Sequence, residues 1–302
     1  PINRAKIVIT VVLGIAVIVS IAQISGNQRA DPNGAAVNLA AARPIPIREN
    51  LWMEELTWME VRDLVDSGYS TVILPTGGIE QNGPNVITGK HNKIVKVMSE
   101  AIARKLGQTL IAPVVKFVPE GNHNPPTGHM QYPGTLGLTE GTYRNMLREI
   151  CLSLKLHGFQ FIVLLGDSGG NQAGMEKVAN KLNKEWSSES SPRVIYSRDY
   201  YFQDEWSFNY LKSIGIHQLP DVKSAQRNDV HSDYHYESIL ATANPDYIRS
   251  EERQENGTFS VNGVSLLPLH KTIENGLLLI DYRAQLTVDD IKKQRLRFAS
   301  PH

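Results

Sequence analysis

The chain has 302 residues, 41% of them hydrophobic and 21% charged, which suits a globular protein with a sizeable core. Lysine plus arginine (31) balance aspartate plus glutamate (31), so no basic face is implied and nucleic acid is excluded as an expected partner. A single cysteine, Cys151, excludes an intrachain disulfide and a multi-cysteine metal site, and its apolar neighbours mark it as core.

Residues 7–25 are a nearly uninterrupted apolar run, close to the ~20 residues a helix needs to cross a bilayer. Arg4 and Lys6 precede it. That bias holds residues 1–6 in the cytoplasm and sends the remainder across. The run exceeds the ~7–15 apolar residues of a cleaved signal peptide, which favours a retained signal-anchor. The expectation is a single-pass protein of the cell membrane, with its globular part on the extracytoplasmic (periplasmic) side. Residues 26–50 are rich in small residues, with Pro44 and Pro46, and read as a linker.

Residues 51–302 carry the globular pattern. Thr57 with Glu60 forms a capping box ahead of Trp58, Val61, Leu64 and Val65 at helical spacing, and Gly68 stops that helix. A buried strand follows over residues 70–74. It breaks into a Gly- and Pro-rich loop holding Glu80, Gln81, Asn82, Asn85, Lys90 and His91, and a helix is predicted from about Lys93 to Leu106. Residues 109–118 are β-rich. Residues 119–135 form a long irregular loop with His123 and His129, of a length usually kept for function. Thr139 caps a helix ending near His157. Residues 161–165 are a strand running into Gly166-Asp167-Ser168-Gly169-Gly170-Asn171, and a helix is predicted over 173–186. Residues 194–196 are a further strand.

The aromatic region 199–228 reads as a lid, a subunit contact or plain packing. His231 to Ser238 opens a helix ending near Pro245. Asn256-Gly257 and Asn262-Gly263 mark turns of an appended hairpin, and residues 288–298 a terminal helix. Strands alternating with helices predict an α/β domain with a mostly parallel sheet. Polar loops after two buried strands can then share one pocket.

Three chemistries compete for those loops. Gly166 to Asn171 opens a helix and could cradle an anion, but it lacks the Gly-Lys-Ser/Thr ending of a P-loop. Gly166-Asp-Ser-Gly-Gly170 also fits the Gly-x-Ser-x-Gly form, with Ser168 as nucleophile and His231 downstream as base. A metal-dependent amide hydrolase would draw on Glu80, His91, His129, Asp167 and His231 from separate loops.

The motifs together resemble the creatininase (creatinine amidohydrolase) family. Leu74-Pro-Thr-Gly-Gly-Ile-Glu-Gln-Asn-Gly-Pro-Asn85 is similar to its first signature, and Tyr132-Pro-Gly-Thr135 to its Phe-Pro-Gly-Thr segment. His157-Gly-Phe159 with Gly166 to Asn171, and His231 through Glu237-Ser238, resemble two later segments in order. The resemblance implies a three-layer α/β/α fold, a metal-dependent C–N hydrolase of amides or cyclic amides, and a homo-oligomer, often a hexamer.

It also implies changes at the metal positions. The family's first carboxylate matches Glu80, but a histidine ligand matches Asn82 and the bridging aspartate matches His91. A later histidine ligand matches Ser168, the acidic ligand beyond it falls at Gly170, and the glutamate partner of His231 falls on Tyr236, with Glu237 one place off. A neutral imidazole binds one cation where a carboxylate can bridge two. The expectation is therefore at most one divalent metal (Zn or Mn), or none, held by Glu80 and His91. Glu80, Asp167, Ser168 and His231 are the candidate catalytic residues. Asn82, Asn85, Lys90, His129 and Asn171 are the candidate pocket. The competing expectation is a catalytically silent scaffold or accessory subunit of a membrane complex.

Overall fold

A computed structural model describes residues 29–30, 36–188, 191–202, 207–219 and 231–299; the expected membrane-spanning run, residues 7–25, lies outside them. The chain divides into two units, residues 1–47 and 48–302. In the first, Arg29–Ala30 pairs antiparallel with Ala36–Val37, inside the stretch read as linker. Among the described residues no helix is long and apolar enough to cross a membrane.

The second unit is built on a 4-stranded parallel sheet. Its strands are β1 (Thr71–Thr76), β2 (Thr109–Ile111), β3 (Phe161–Gly166) and β4 (Arg193–Tyr196), in the order β2-β1-β3-β4. Every residue of β1 is buried, as expected for a strand covered on both faces. Alternate residues feed two cores. Val72, Leu74, Ile162, Leu164 and Val194 pack with α1 (Trp58–Asp66), α3 (Glu140–Leu156) and α4 (Gly169–Glu185). Ile73, Val163, Leu165 and Ile195 pack with α2 (Lys90–Leu106), α7 (Tyr234–Ala243) and α9 (Leu269–Ala299). The result is the three-layer α/β/α fold.

Short elements complete it: α5 (Asp199–Phe202), α6 (Asn209–Ser213), α8 (Ser250–Glu255), and the hairpin β5 (Ser260–Val261) with β6 (Val264–Ser265), turned by Asn262-Gly263. Thr57 and Glu60 make the predicted capping box on α1, and Thr139 caps α3.

Four boundaries differ from the sequence pattern. β2 ends at Ile111 because Pro113 has no N–H for a ladder, and only isolated bridges at Val115 and Val118 continue it. α2 starts at Lys90 and α4 at Gly169, so His91 and Gly170 sit inside first helical turns. α9 begins at Leu269 and is 31 residues long. Its Gly276 is required by packing, because a Cβ there would come 2.2 Å from the Ser238 carbonyl oxygen of α7.

The sheet order sets the site. From β1 the chain passes to β2 on one side, then returns to β3 on the other. The switch point therefore lies between β1 and β3, where Thr76 and Gly166 end in register. Ligands of open α/β sheets bind just beyond such a point.

Candidate active site

Glu80 lies in the loop leaving β1. That loop is fixed by its own hydrogen bonds: Gly78 N donates to Asn92 Oδ1 at 3.0 Å, Glu80 N to Thr88 O at 3.0 Å, and Leu136 N to Ile79 O at 3.0 Å. Gly77 has to be glycine here, since a Cβ would fall 2.0 Å from Asn92 Oδ1. The Glu80 carboxylate is 2% exposed and gathers several groups. His91 Nε2 is 2.8 Å from Oε1, His231 Nε2 3.2 Å from Oε1, Lys90 Nζ 3.9 Å from Oε1, and His129 Nε2 3.7 Å from Oε2. The rings of His129 and His231 lie 4.7 Å apart.

Behind His91 stands Asp167, the first residue after β3. Its Oδ2 is 2.7 Å from His91 Nδ1, its Oδ1 accepts from the Tyr200 hydroxyl at 2.6 Å, and Arg283 Nη1 lies 3.2 Å from Oδ1. Arg283 also donates to the Tyr200 carbonyl and stacks over its ring. Asp167 is fully buried with both oxygens engaged. The geometry places Asp167, expected as a catalytic residue, behind His91.

The other expected residues divide. Lys90 is buried, and its Nζ donates to the His231 carbonyl at 2.7 Å, fixing the segment that carries His231. Asn171, expected in the pocket, ties two elements together. It is fully buried, and its Nδ2 donates to Thr76 O, Thr76 Oγ1 and Gly77 O, tying the start of α4 to the end of β1. Ser168 is buried at the N-cap of α4, and among the described residues no histidine hydrogen-bonds it. The geometry therefore gives the serine-nucleophile reading no base. Glu237 does not partner His231 but forms a buried ion pair with Arg253. Asn82 and Asn85 line a separate cavity on the far side of the loop.

Glu120 was missed. It comes from the long loop 119–135, already marked by its length, but a lone glutamate there carries no spacing signal. Its side chain is buried against the Glu80 loop, where a Cβ on Gly78 would meet Glu120 Oε1 at 2.5 Å. Tyr200 and Arg283 were missed too: one lies in the aromatic segment, the other on an otherwise apolar stripe of α9.

Electrostatics separate these groups. Burial opposes the Glu80 charge, but His91, His231 and Lys90 outweigh it and hold the carboxyl well below the usual range. Burial and then the Glu80 charge push Glu120 up to about 10, so it keeps its proton at neutral pH. Burial and Lys90 disfavour a charged His91, yet Glu80 and Asp167 raise it above 6.5. Burial lowers Lys90, and burial lowers His129, leaving that imidazole neutral at pH 7.

Ligand atoms of Glu80, His91 and His231 lie within 4.8 Å of one another. They fit one metal ion. There are three donors, a carboxylate behind the second His91 nitrogen as metal-bound histidines commonly have, and an open side where His231 is 47% exposed. They do not fit a pair. Asn82 turns its Nδ2 onto Glu80 O and Ile87 O, and His91, with Nδ1 on Asp167, has one nitrogen left for an ion.

The fold and site define a three-layer α/β protein with a carboxylate–histidine cluster at its switch point. A family model described as creatinine amidohydrolase matches residues 54–275, and the chain belongs to the creatininase family. It is 24% identical over 172 residues to 3-dehydro-scyllo-inosose hydrolase of Thermotoga maritima, covering 57% of this chain and 52% of the relative. It is 25% identical over 117 residues to creatinine amidohydrolase of Pseudomonas putida, covering 39% and 44%. The chain thus spans about half the length of the curated relatives it matches. Among solved structures, a creatinine amidohydrolase superposes with a TM-score of 0.56 at 17% identity, over 82% of this chain and 98% of that one. Similar creatininase structures include a Zn-Zn form of a mutant and a manganese form.

Proposed function

We propose that this protein hydrolyses a C–N bond of an amide or cyclic amide, with one divalent metal (Zn or Mn) held by Glu80, His91 and His231. The observation that supports this most is the convergence of those three side chains from separate elements at the switch point, backed by Asp167. An ion there would polarise the amide carbonyl and make a bound water nucleophilic near neutral pH. The chain's own groups do the rest. Asp167, held by Tyr200 and Arg283, fixes the His91 ring so that Nε2 faces Glu80. Glu120 keeps a neutral carboxyl beside Glu80. His129, neutral and on the open side, can take a proton at Nε2.

The wider reading is a membrane-anchored, extracytoplasmic homo-oligomer, hexameric by family resemblance. Residues 7–25 supply the anchor.

A second reading has its own observation. Both His91 nitrogens meet carboxylates, and the Lys90 ammonium lies 3.9 Å from Glu80 Oε1, so the chain supplies cations of its own to this cluster. That suits a silent scaffold or accessory subunit of a membrane complex.

Elemental analysis and titration with Zn and Mn separate the two. The hydrolase reading expects one metal per chain, lost in His231→Ala and His91→Ala, together with turnover on an amide and lactam panel. Because the ion must displace the His91 proton, which Glu80 and Asp167 hold more tightly than usual, affinity should rise with pH through neutrality. A folded protein that takes up no metal and turns over no amide would sink it and leave the scaffold.

A further inference from the structure

We propose that Ser168, the amides of Gly169 and Gly170, and the Tyr201 hydroxyl form a carboxylate-binding pocket beside the Glu80 cluster, so that the substrate is an amide that also carries a carboxylate. The inference deepens the hydrolase reading and rests on it only for the amide half of the ligand.

Helix α4 starts just beyond the end of β3, at the switch point. The first amides of a helix have no partner inside it. They point out of its N-terminal end, where the macrodipole favours negative charge. In α4 the N-cap does not meet that need, because Ser168 makes no side-chain cap hydrogen bond. Among the described residues, no oxygen accepts from Gly169 N or Gly170 N. Asp167 is next in the chain, but its oxygens are spent on His91, Tyr200 and Arg283. With no side chain on either glycine, nothing of the helix's own covers the two amides.

Two hydroxyls make this more than a bare helix end. Ser168 is 2% exposed, and its Oγ has no hydrogen-bond partner among the described residues, yet that oxygen is not sealed from solvent. It borders the Glu80 loop: Ser168 Cβ lies 3.5 Å from a Cβ built on Gly78. The Tyr201 hydroxyl stands over the first turn of α4, since a Cβ built on Gly169 would lie 3.0 Å from Tyr201 Oη. That oxygen, too, is without a partner among the described residues and not sealed. Tyr201 is close enough to the cluster that burial, then Asp167 and Glu80, push its phenol above the usual value.

The donor set names the ligand. Two amides and two hydroxyls, with no carboxylate and no cation among them, suit an oxyanion held by hydrogen bonds, and a carboxylate offers about four lone-pair sites to them. The buried cations Lys90 and Arg283 offset the buried carboxylates Glu80 and Asp167, so an incoming anion is not repelled by the cluster. The frame is held in advance. Gln172 Nε2 donates to Gly166 O at 2.9 Å and to Ser168 O at 2.8 Å, and Asn171 Nδ2 ties the same turn to β1.

Saturation-transfer NMR on the full chain at pH 7 tests this, with malonamate and succinamate as probes and the neutral diamides malonamide and succinamide as controls. Each is measured with and without Zn. The expected result is that the amide acids bind at least about tenfold more tightly than the diamides. Tyr201→Phe and Ser168→Ala each remove one donor with little change of shape. Each should weaken binding of the amide acids by about tenfold, the worth of one hydrogen bond to a charged group, with the diamides and the melting temperature unaffected. Should one variant fold poorly, the other decides. The same pattern in protein that takes up no metal would support the pocket and sink the hydrolase reading alone. No binding of the amide acids to wild type, equal binding of the diamides, or affinity untouched in both variants would each overturn the proposal. So would binding that appears only with Zn and ignores both substitutions, which would make the carboxylate a metal ligand.

Discussion

Two carboxyls from separate loops meet at Glu80 and Glu120, and burial decides which one is charged. Glu80 has His91, His231 and Lys90 around it and stays ionised; Glu120, facing that charge without a cation of its own, stays protonated. The sign of the linkage follows. Glu120 holds a proton in the folded state up to about 10, while its unperturbed value is 4.5. Between those values the folded state binds more protons than the unfolded one, so this group's contribution to stability falls as pH rises. Glu120→Gln is neutral throughout and escapes the loss. In chelator-treated protein its stability relative to wild type should grow steadily from about pH 5 toward about pH 10. Urea melts across that range check it, and a pH-independent difference would mean Glu120 is ionised in the fold. Arg283 makes a simpler case at the same scale. Replacing it with methionine leaves the buried Asp167 carboxylate beside Tyr200 without the guanidinium, and breaking such a pair costs about 3–5 kcal/mol. The same melts should show that loss.

Helix α9 shows how close packing overrides local propensity. Glycine inside a helix normally costs up to ~1 kcal/mol against alanine, so Gly→Ala is expected to stabilise. At Gly276 the added methyl would come 2.2 Å from Ser238 O of α7, and the crowding reverses the sign. Gly276→Ala should lower stability by about 1–3 kcal/mol. Gly141 in α3 has nothing within 4 Å of a built Cβ, and Gly141→Ala there should raise stability by about 0.5–1 kcal/mol. Opposite shifts in denaturation midpoint, at unchanged slope, are the expected pair of results. The same helix marks where the sequence stopped being legible. The four core strands read as apolar runs because both sheet faces are covered. Only the end of α9, from Val288, was legible, and the packing that calls for Gly276 lies on another helix. Glu80, His91 and His231 were legible because loops after buried strands, and the family's motif order, pointed to them. Glu120, Tyr200 and Arg283 were not, since each enters the site through tertiary contacts that leave no local pattern.

At the scale of the whole molecule, two levels of reading meet. The creatininase family assignment rests on residues 54–275, and the compact unit of residues 48–302 holds the sheet, both cores and the site. The composition of residues 7–25 asks for an explanation of its own. An apolar run of nearly ~20 residues behind Arg4 and Lys6 is costly in water and stable across a bilayer. The expected behaviour is separable. Expressed with residues 1–47, the protein should sediment with membranes, resist carbonate extraction, and be cut by protease added from the extracytoplasmic side. Residues 48–302 alone should remain in the supernatant and melt at the same temperature, because this unit holds the sheet and both cores. Release of the longer form by carbonate would show that residues 7–25 do not span the membrane. A lowered melting temperature of the shorter form would show that the first unit packs on the second.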